Sequence, residues 1–303
     1  MHSPIKIQDL TGKVVKSEKN PFGRGGFAQV FKGEYTKDSV SPPIVVAIKV
    51  LRPSYDVAET NKLNAKLLRE GRVWSALKHP NITPFYGVCY DLGILSTPCL
   101  VCPYYKNGSV PEYLRVNPAA DRMELTCQLA TGLAYLHSQH PSIIHADIKA
   151  ANVLVNDRYE ACLADFGLSR MLETSGFTTT TIGGTSRWMA HELIILPDDY
   201  DDTEQNTSLL YTTATDVWAF AMTVLEILTS RIPFVHLQSE VAVILAIKRG
   251  GRPLHESYPE IRDSIWSMLV KCWETEPGRR PSMNELSQFL HHKLAKERLN
   301  RNH

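Results

Sequence analysis

The chain has 303 residues, 43% of them hydrophobic and 21% charged, which suits a globular protein and excludes wholesale disorder. At about 100–200 residues per domain, this length predicts two domains or one large domain of two lobes. Thirty-three Lys and Arg against thirty-two Asp and Glu leave a formal charge of +1, without the clustered basic excess of a nucleic-acid binder.

The longest apolar run, Val217 to Leu228, is broken by Thr223 and Glu226, so no membrane span is expected. The N-terminus has no apolar signal core, and six cysteines in a chain this long do not read as a disulfide framework. A reducing home follows, with the cytoplasm expected and the nucleus as the alternative. Cys99 and Cys102 form a C-x-x-C, but a second pair at metal spacing is absent and the surrounding run is apolar. Buried strand cysteines are the better reading.

No repeat of 20–50 residues is visible. Residues 14–50 read as short strands broken by Asn20, Pro21 and a cluster of glycines, ending in the β-branched run Ile44–Val50. A helix is expected over about 55–77, then a stop at His79–Asn81, then short strands to about Pro103. Beyond Pro111 helical patterns dominate, at 112–116, 122–137, 214–229 and 264–274. A strand-rich first third and a helical remainder make an α+β layout of two lobes joined near 104–108. Residues 172–184 and the acidic stretch 197–206 read as exposed loops, and the segment after Leu290 as a basic, partly disordered tail.

The first chemical signal is Gly23, Gly25 and Gly26 between two strand patterns. By itself this is a plain hairpin more often than a flap over an anion. It is neither a P-loop, lacking the Lys-Ser/Thr pair, nor a Rossmann turn, lacking the following helix. The strand Ile44–Val50 puts Val45, Ala47 and Lys49 on one face and Ile44, Val46, Ile48 and Val50 on the other. An ammonium among apolar neighbours asks for an anionic partner. The helix that follows places Glu70 on its apolar stripe with Leu63, Leu67, Trp74 and Leu77. Glu70 is either a stripe-edge surface residue or the carboxylate of a partly buried pair with Lys49. The densest chemistry is the run Ile143–Val155. There Asp147 can accept a hydroxyl proton, Lys149 can neutralise a phosphoryl group, and Asn152 offers an amide oxygen to a hard cation. Asp165, thirteen residues later and followed by Phe166 and Gly167, offers a second oxygen.

These pieces resemble the eukaryotic protein kinase catalytic domain, and the likeness runs from about Val14 to Leu290. The family's motifs come in order: Gly23–Val30, Val46–Lys49, Glu70, His145–Asn152, Asp165–Gly167, Met189–Glu192, Asp216–Trp218 and Arg280. The resemblance implies a two-lobed kinase fold, with a small β-rich N-lobe carrying one main helix (14–102), a hinge (103–108) and a larger helical C-lobe (109–291). Residues 1–13 are then an N-terminal extension and 292–303 a basic tail. It also implies roles. Lys49 holds ATP phosphates and pairs with Glu70, under the glycine flap. Asp147 is the base, Lys149 steadies the transferred group, and Asn152 and Asp165 bind Mg²⁺, with Mn²⁺ as the alternative. Val30, Ala47 and Leu154 enclose the adenine, Pro103 and Tyr105 supply hinge groups, and Cys102 sits at the entrance to the back pocket. His145, Phe166 and Trp74 stack between the lobes, and Glu192 pairs with Arg280. Lys149 and Thr185 resemble serine/threonine enzymes, whereas Arg187–Ala190 and Lys271–Trp273 resemble the tyrosine kinase-like group. The expectation is a monomeric catalytic domain that phosphorylates protein Ser/Thr, with Tyr as a minor acceptor. It acts on ATP and protein substrates and on no nucleic acid or membrane. The alternative is a nucleotide-binding pseudokinase or scaffold. A hydrolase using Asp147 on water gives no account of the flap or of Lys49.

Four positions depart from the family pattern. Ala28 replaces the third flap glycine, His191 a proline, and Ala221 a glycine. Ala146 stands where most members carry the arginine that binds an activation-loop phosphate, so that receptor is missing. Phosphorylation within Thr178–Thr181 is therefore not needed for basal activity. A phosphatase-treated sample keeps its activity; one that goes silent and recovers on phosphorylation of that run overturns the expectation.

Overall fold

The computed structural model describes residues 6–24, 28–51, 57–93, 97–165, 185–195 and 210–301. Gly25, Gly26, Phe166, Thr178–Thr181 and the acidic stretch lie outside them. The β-branched N-terminal third forms β1 (Val14–Lys16), β2 (Gly23–Arg24), β3 (Ala28–Tyr35), β4 (Ile44–Leu51), β5 (Gly87–Cys89) and β6 (Cys99–Pro103). They pair antiparallel in the order β1-β3-β4-β6-β5, with β2 joined to β3.

Side-chain alternation splits this sheet into two faces. Phe31, Tyr35, Val46, Ile48 and Val50 turn to an outer core with Leu10, Val14, Cys89, Cys99 and Val101. The register sets Val30 opposite Lys49, and both Lys32 and Cys102 opposite Ala47, on the other face. The split on β4 therefore follows the expected alternation, except that Ile44 is 38% exposed at the strand's start.

Residues 8–10 run beside β5. Leu10 N–H donates to Val88 O (2.7 Å), Val88 N–H donates to Gln8 O (3.0 Å), and Leu10 is fully buried. Helix α1 (Val57–Ala76) packs Leu67 and Trp74 inward, with Leu77 buried just past its end; of the predicted stripe, the Leu63 and Glu70 side chains lie outside the described residues.

The larger lobe holds α2 (Val110–Val116), α3 (Arg122–His137), the pair β7 (Val153–Val155) and β8 (Ala161–Leu163), and α4 (His191–Ile194). Then come α5 (Thr213–Thr229), α6 (Glu240–Lys248), α7 (Asp263–Cys272) and α8 (Met283–Arg301). Short polar side chains start several helices. Asp121 accepts from Glu124 N–H, Thr212 from Thr215 N–H and Ser239 from Ala242 N–H. Helix α5 is buried almost throughout and forms the axis of the lobe.

The basic segment after Leu290 departs from the expectation of a disordered tail, for α8 continues through it to Arg301. Leu286, Leu290 and Leu294, spaced by four, form a buried stripe, and Arg298 bridges to Glu124 on α3. Charge alone suggested a tail; the leucine stripe decides otherwise.

Gly132 shows how closely the parts approach. A β-carbon there would lie 2.6 Å from Asn81 O, the oxygen that accepts Leu163 N–H at 2.9 Å. Gly132→Ala ought to gain about 1 kcal/mol from helix propensity. The clash with fixed backbone outweighs that gain, and the variant is expected to lose about 1–3 kcal/mol in urea denaturation. A neutral or stabilised variant would show that residues 81–83 can shift at no cost.

Candidate active site

The loop between α3 and β7 is positioned by two carboxylates of α5. Asp216, 1% exposed, accepts His145 N–H at 2.8 Å and Ala146 N–H at 2.9 Å, and its Oδ2 lies 2.9 Å from His137 Nε2. Glu226, ten residues along the same helix, accepts Ala150 N–H at 3.1 Å. His145 is fully buried, and burial holds its pKa below the usual histidine value. Its Nδ1 accepts Asp147 N–H (3.3 Å), so the neutral ring carries its proton on Nε2 and donates to Ala164 O (3.0 Å). Ala146 has φ +67° and Asp165 φ +62°, left-handed conformations that cost a β-carbon-bearing residue on the order of 1–3 kcal/mol each. The loop's anchors must hold this strain.

Held in this way, the loop presents a compact polar group. Lys149 Nζ donates to both oxygens of Asp147 at 2.9 Å and to Thr185 Oγ1 at 3.4 Å, which joins residues 36 apart in sequence. Asn152 Nδ2 donates to Asp147 O (2.8 Å) and Asp147 Oδ2 (2.7 Å). Both amide hydrogens of Asn152 thus face Asp147, which leaves Oδ1 for another partner. Asp147 is 7% exposed and Asn152 9%.

Above this group, Lys49 Nζ meets Asp165 Oδ2 at 2.8 Å, an ion pair between the sheet and the end of β8. The ammonium on β4 therefore has its anion. The Glu70 side chain lies outside the described residues, so the expected Lys49–Glu70 pair does too.

The remaining predicted residues fall around the same opening. Gly23 is the register partner of Val30, which faces Lys49. Ala47, opposite Cys102, continues that face. Leu154 is brought to the connection between the lobes by the Ser109–Leu154 bridge and by Val155 N–H donating to Gly108 O (2.9 Å). Pro103 ends β6, and Tyr105 O accepts Gly108 N–H at 3.1 Å. Cys102 is half-buried rather than buried as the strand pattern suggested, because it sits on the open face; burial still pushes its thiol up to about 12. Trp74 stacks on Phe85, with ring centroids 4.7 Å apart, and donates to Thr83 O at 2.7 Å.

Structural pairs support this arrangement. Arg280 clasps Glu192 with two bonds of 2.6 and 2.7 Å, as the resemblance implied, and also donates to Ala214 O and Glu274 O. Arg187, 4% exposed, donates to the carbonyls of Pro233, Phe234 and Leu237 and to Glu240. Sequence reasoning named Arg187 only as part of a motif and missed Glu226. The available signal was a carboxylate inside an otherwise apolar helical run, ten residues after Asp216.

The sequence matches the family model described as protein tyrosine and serine/threonine kinase over residues 17–290. The chain belongs to this kinase family. The kinase domain is 33% identical over 274 residues to a probable serine/threonine-protein kinase, drkD, of Dictyostelium discoideum, covering 88% of this chain and 19% of that protein. It is 29% identical over 292 residues to the serine/threonine-protein kinase STY17 of Arabidopsis thaliana, covering 93% of this chain and 45% of that one. Against a mitogen-activated protein kinase kinase kinase of Drosophila melanogaster it is 30% identical over 284 residues, 90% of this chain and 22% of the relative. The chain thus spans less than half the length of each of these relatives. Among the described residues, no helix is long and apolar enough to cross a membrane.

Glu226 gives this kinase domain a titrating loop anchor. Burial raises its carboxyl to about 7, against the pull of the Ala150 N–H and the Lys149 charge. A carboxyl raised in the folded state makes its full contribution below its unfolded pKa and loses it as pH climbs toward the folded value. The thermal midpoint of the wild type should therefore fall relative to Glu226→Gln between about pH 5 and about pH 8. Parallel profiles would mean that Glu226 does not titrate in that window.

Proposed function

We propose that this chain is an ATP-dependent protein kinase that moves the γ-phosphoryl group to Ser and Thr hydroxyls of protein substrates, with Tyr as a minor acceptor. The observation that carries the reading is the Asp147–Lys149–Asn152–Thr185 group with the Lys49–Asp165 pair beside it, tied together by Ala164 N–H donating to Asn152 O at 3.0 Å.

Each residue has a task in that reaction. Asp147 orients the substrate hydroxyl and takes its proton as oxygen bonds to phosphorus and ADP leaves. Lys149 balances the charge of the moving group, while Thr185 places a hydroxyl beside it, which favours Ser and Thr acceptors. Asn152 Oδ1 and the Asp165 carboxylate are two hard oxygens, the sparse protein donor set that suits Mg²⁺ completed by phosphate oxygens and water; Mn²⁺ is the alternative. The cation supplies charge neutralisation on the phosphate oxygens. Lys49, free to exchange Asp165 for phosphate, holds the nucleotide with Glu70 as its second carboxylate and Gly23, Gly25 and Gly26 as the covering flap. Val30, Ala47 and Leu154 enclose the adenine. Pro103 offers a carbonyl, and Tyr105 an N–H that nothing among the described residues accepts.

The pseudokinase reading gains no support, because every group that phosphoryl transfer needs is present. Six free cysteines fit a reducing compartment, for which we take the cytoplasm or nucleus, and we take the catalytic domain as a monomer.

The test is transfer of labelled γ-phosphate to a generic basic protein, beside Asp147→Asn. Loss of the base is expected to cost about 10²–10⁴-fold in rate while nucleotide binding persists. Acid hydrolysis of the product should yield phosphoserine and phosphothreonine. A wild type that binds nucleotide but transfers nothing, or a variant as fast as the wild type, overturns the proposal.

A further inference from the structure

The outer core of the smaller lobe holds a pair of thiols that the phosphoryl-transfer site does not use. Cys89 ends β5 and Cys99 begins β6, and they are direct register partners across the antiparallel ladder. Directly opposed residues in such a ladder have Cα atoms about 4.5–5.5 Å apart, inside the roughly 4.4–6.8 Å span that a disulfide bridges. Both residues are fully buried and both are free thiols, and Cys99 Sγ lies 4.0 Å from Thr97 O.

We propose that Cys89 and Cys99 are a redox modification site, closing to a reversible cross-strand disulfide on oxidation by hydrogen peroxide. The Cys99 thiolate attacks one peroxide oxygen, the O–O bond breaks, and the departing hydroxide takes up the thiol proton as water. Cys89 sulfur then attacks the sulfenic sulfur of Cys99, its proton leaves with the hydroxyl as a second water, and the S–S bond forms. Two thiols are oxidised by two electrons and one peroxide is reduced to two waters. A small thiol such as glutathione reverses the step by exchange, ending as its own disulfide.

The surroundings separate this pair from the other four cysteines. Cys99 is held below the ordinary thiol value by the neighbouring Cys89 thiol and by the Lys16 ammonium, against burial and Asp91, while Cys89 is held protonated. Lys16 Nζ is fixed there by donating to Leu92 O at 3.1 Å and by lying 4.1 Å from the centre of the Phe31 ring. Burial instead raises Cys102, Cys127 and Cys272 to about 12 and Cys162 to about 11, so these remain unreactive thiols.

The cover over the pair is thin. A β-carbon on Gly93 would sit 3.3 Å from Cys99 Sγ, so at that residue only backbone lies over the sulfur.

The experiment treats the whole chain with hydrogen peroxide, blocks remaining thiols with N-ethylmaleimide in denaturant, and digests without reductant at Asp. Cleavage before Asp91 separates Cys89 from Cys99 unless they are joined. The expected product is one linked species carrying both, lighter by two hydrogens than the sum of its peptides, and absent after dithiothreitol. Cys102→Ser should form it as the wild type does, and Cys99→Ser should not. Recovery of Cys89 and Cys99 as blocked thiols from peroxide-treated wild type overturns the proposal. So does a link that fragment sequencing of that species places at Cys102, which shares the 91–120 peptide with Cys99. Both readings come from the wild type, so they stand even if Cys99→Ser fails to fold.

Discussion

The buried carboxylate of Asp216 is the constraint on which the candidate site depends. It sits in the first turn of α5, with one oxygen on Ala146 N–H and the other shared between His145 N–H and His137. A buried charge is tolerable only when it is fully hydrogen-bonded, and here the loop's own backbone supplies the donors. Those bonds hold Ala146 in a left-handed conformation that an alanine would otherwise leave. The strain is borne by the rigid helix, so the next residue, Asp147, has one orientation.

Helix α5 then acts as a ruler. Ten residues at about 1.5 Å each separate Asp216 from Glu226 by about 15 Å, and the two carboxylates fasten the loop at Ala146 and at Ala150. The helix can do this because it is buried on nearly all sides. Arg252 and Arg280 lie against Trp218, 4.3 and 5.1 Å from the ring centre. The bidentate Arg280–Glu192 pair carries this support on to the segment that delivers Thr185 to Lys149. Position at the site is thus set by buried polar contacts around one apolar helix, and the chemistry is left to the few groups that face the opening.

Within that opening the charges are paired in advance: Lys149 with Asp147, and Lys49 with Asp165. Each pair can exchange a member for an incoming phosphate or cation. The outer face of the sheet works by different rules. It is an apolar core whose polar feature, the Cys89–Cys99 contact, rests on register alone.

Much of this was legible in the sequence. Periodicity alone placed α1, α3, α5 and α7 and divided β4 into its two faces, because period 3.6 and period 2 are local properties of the chain. The candidate site residues could be named from the order and spacing of motifs, since Asp147, Lys149 and Asn152 lie within six residues of one another. What the sequence could not settle were contacts between distant segments. That Lys49 meets Asp165, that Glu226 fastens Ala150, that Cys89 opposes Cys99 and that the basic segment after Leu290 is the end of a packed helix all depend on how elements dock. Local patterns determine which residues face inward. Only tertiary packing decides what they meet there, because a carboxylate, a thiol or a charged helix end has many suitable partners along the chain, and the fold brings just one of them within reach.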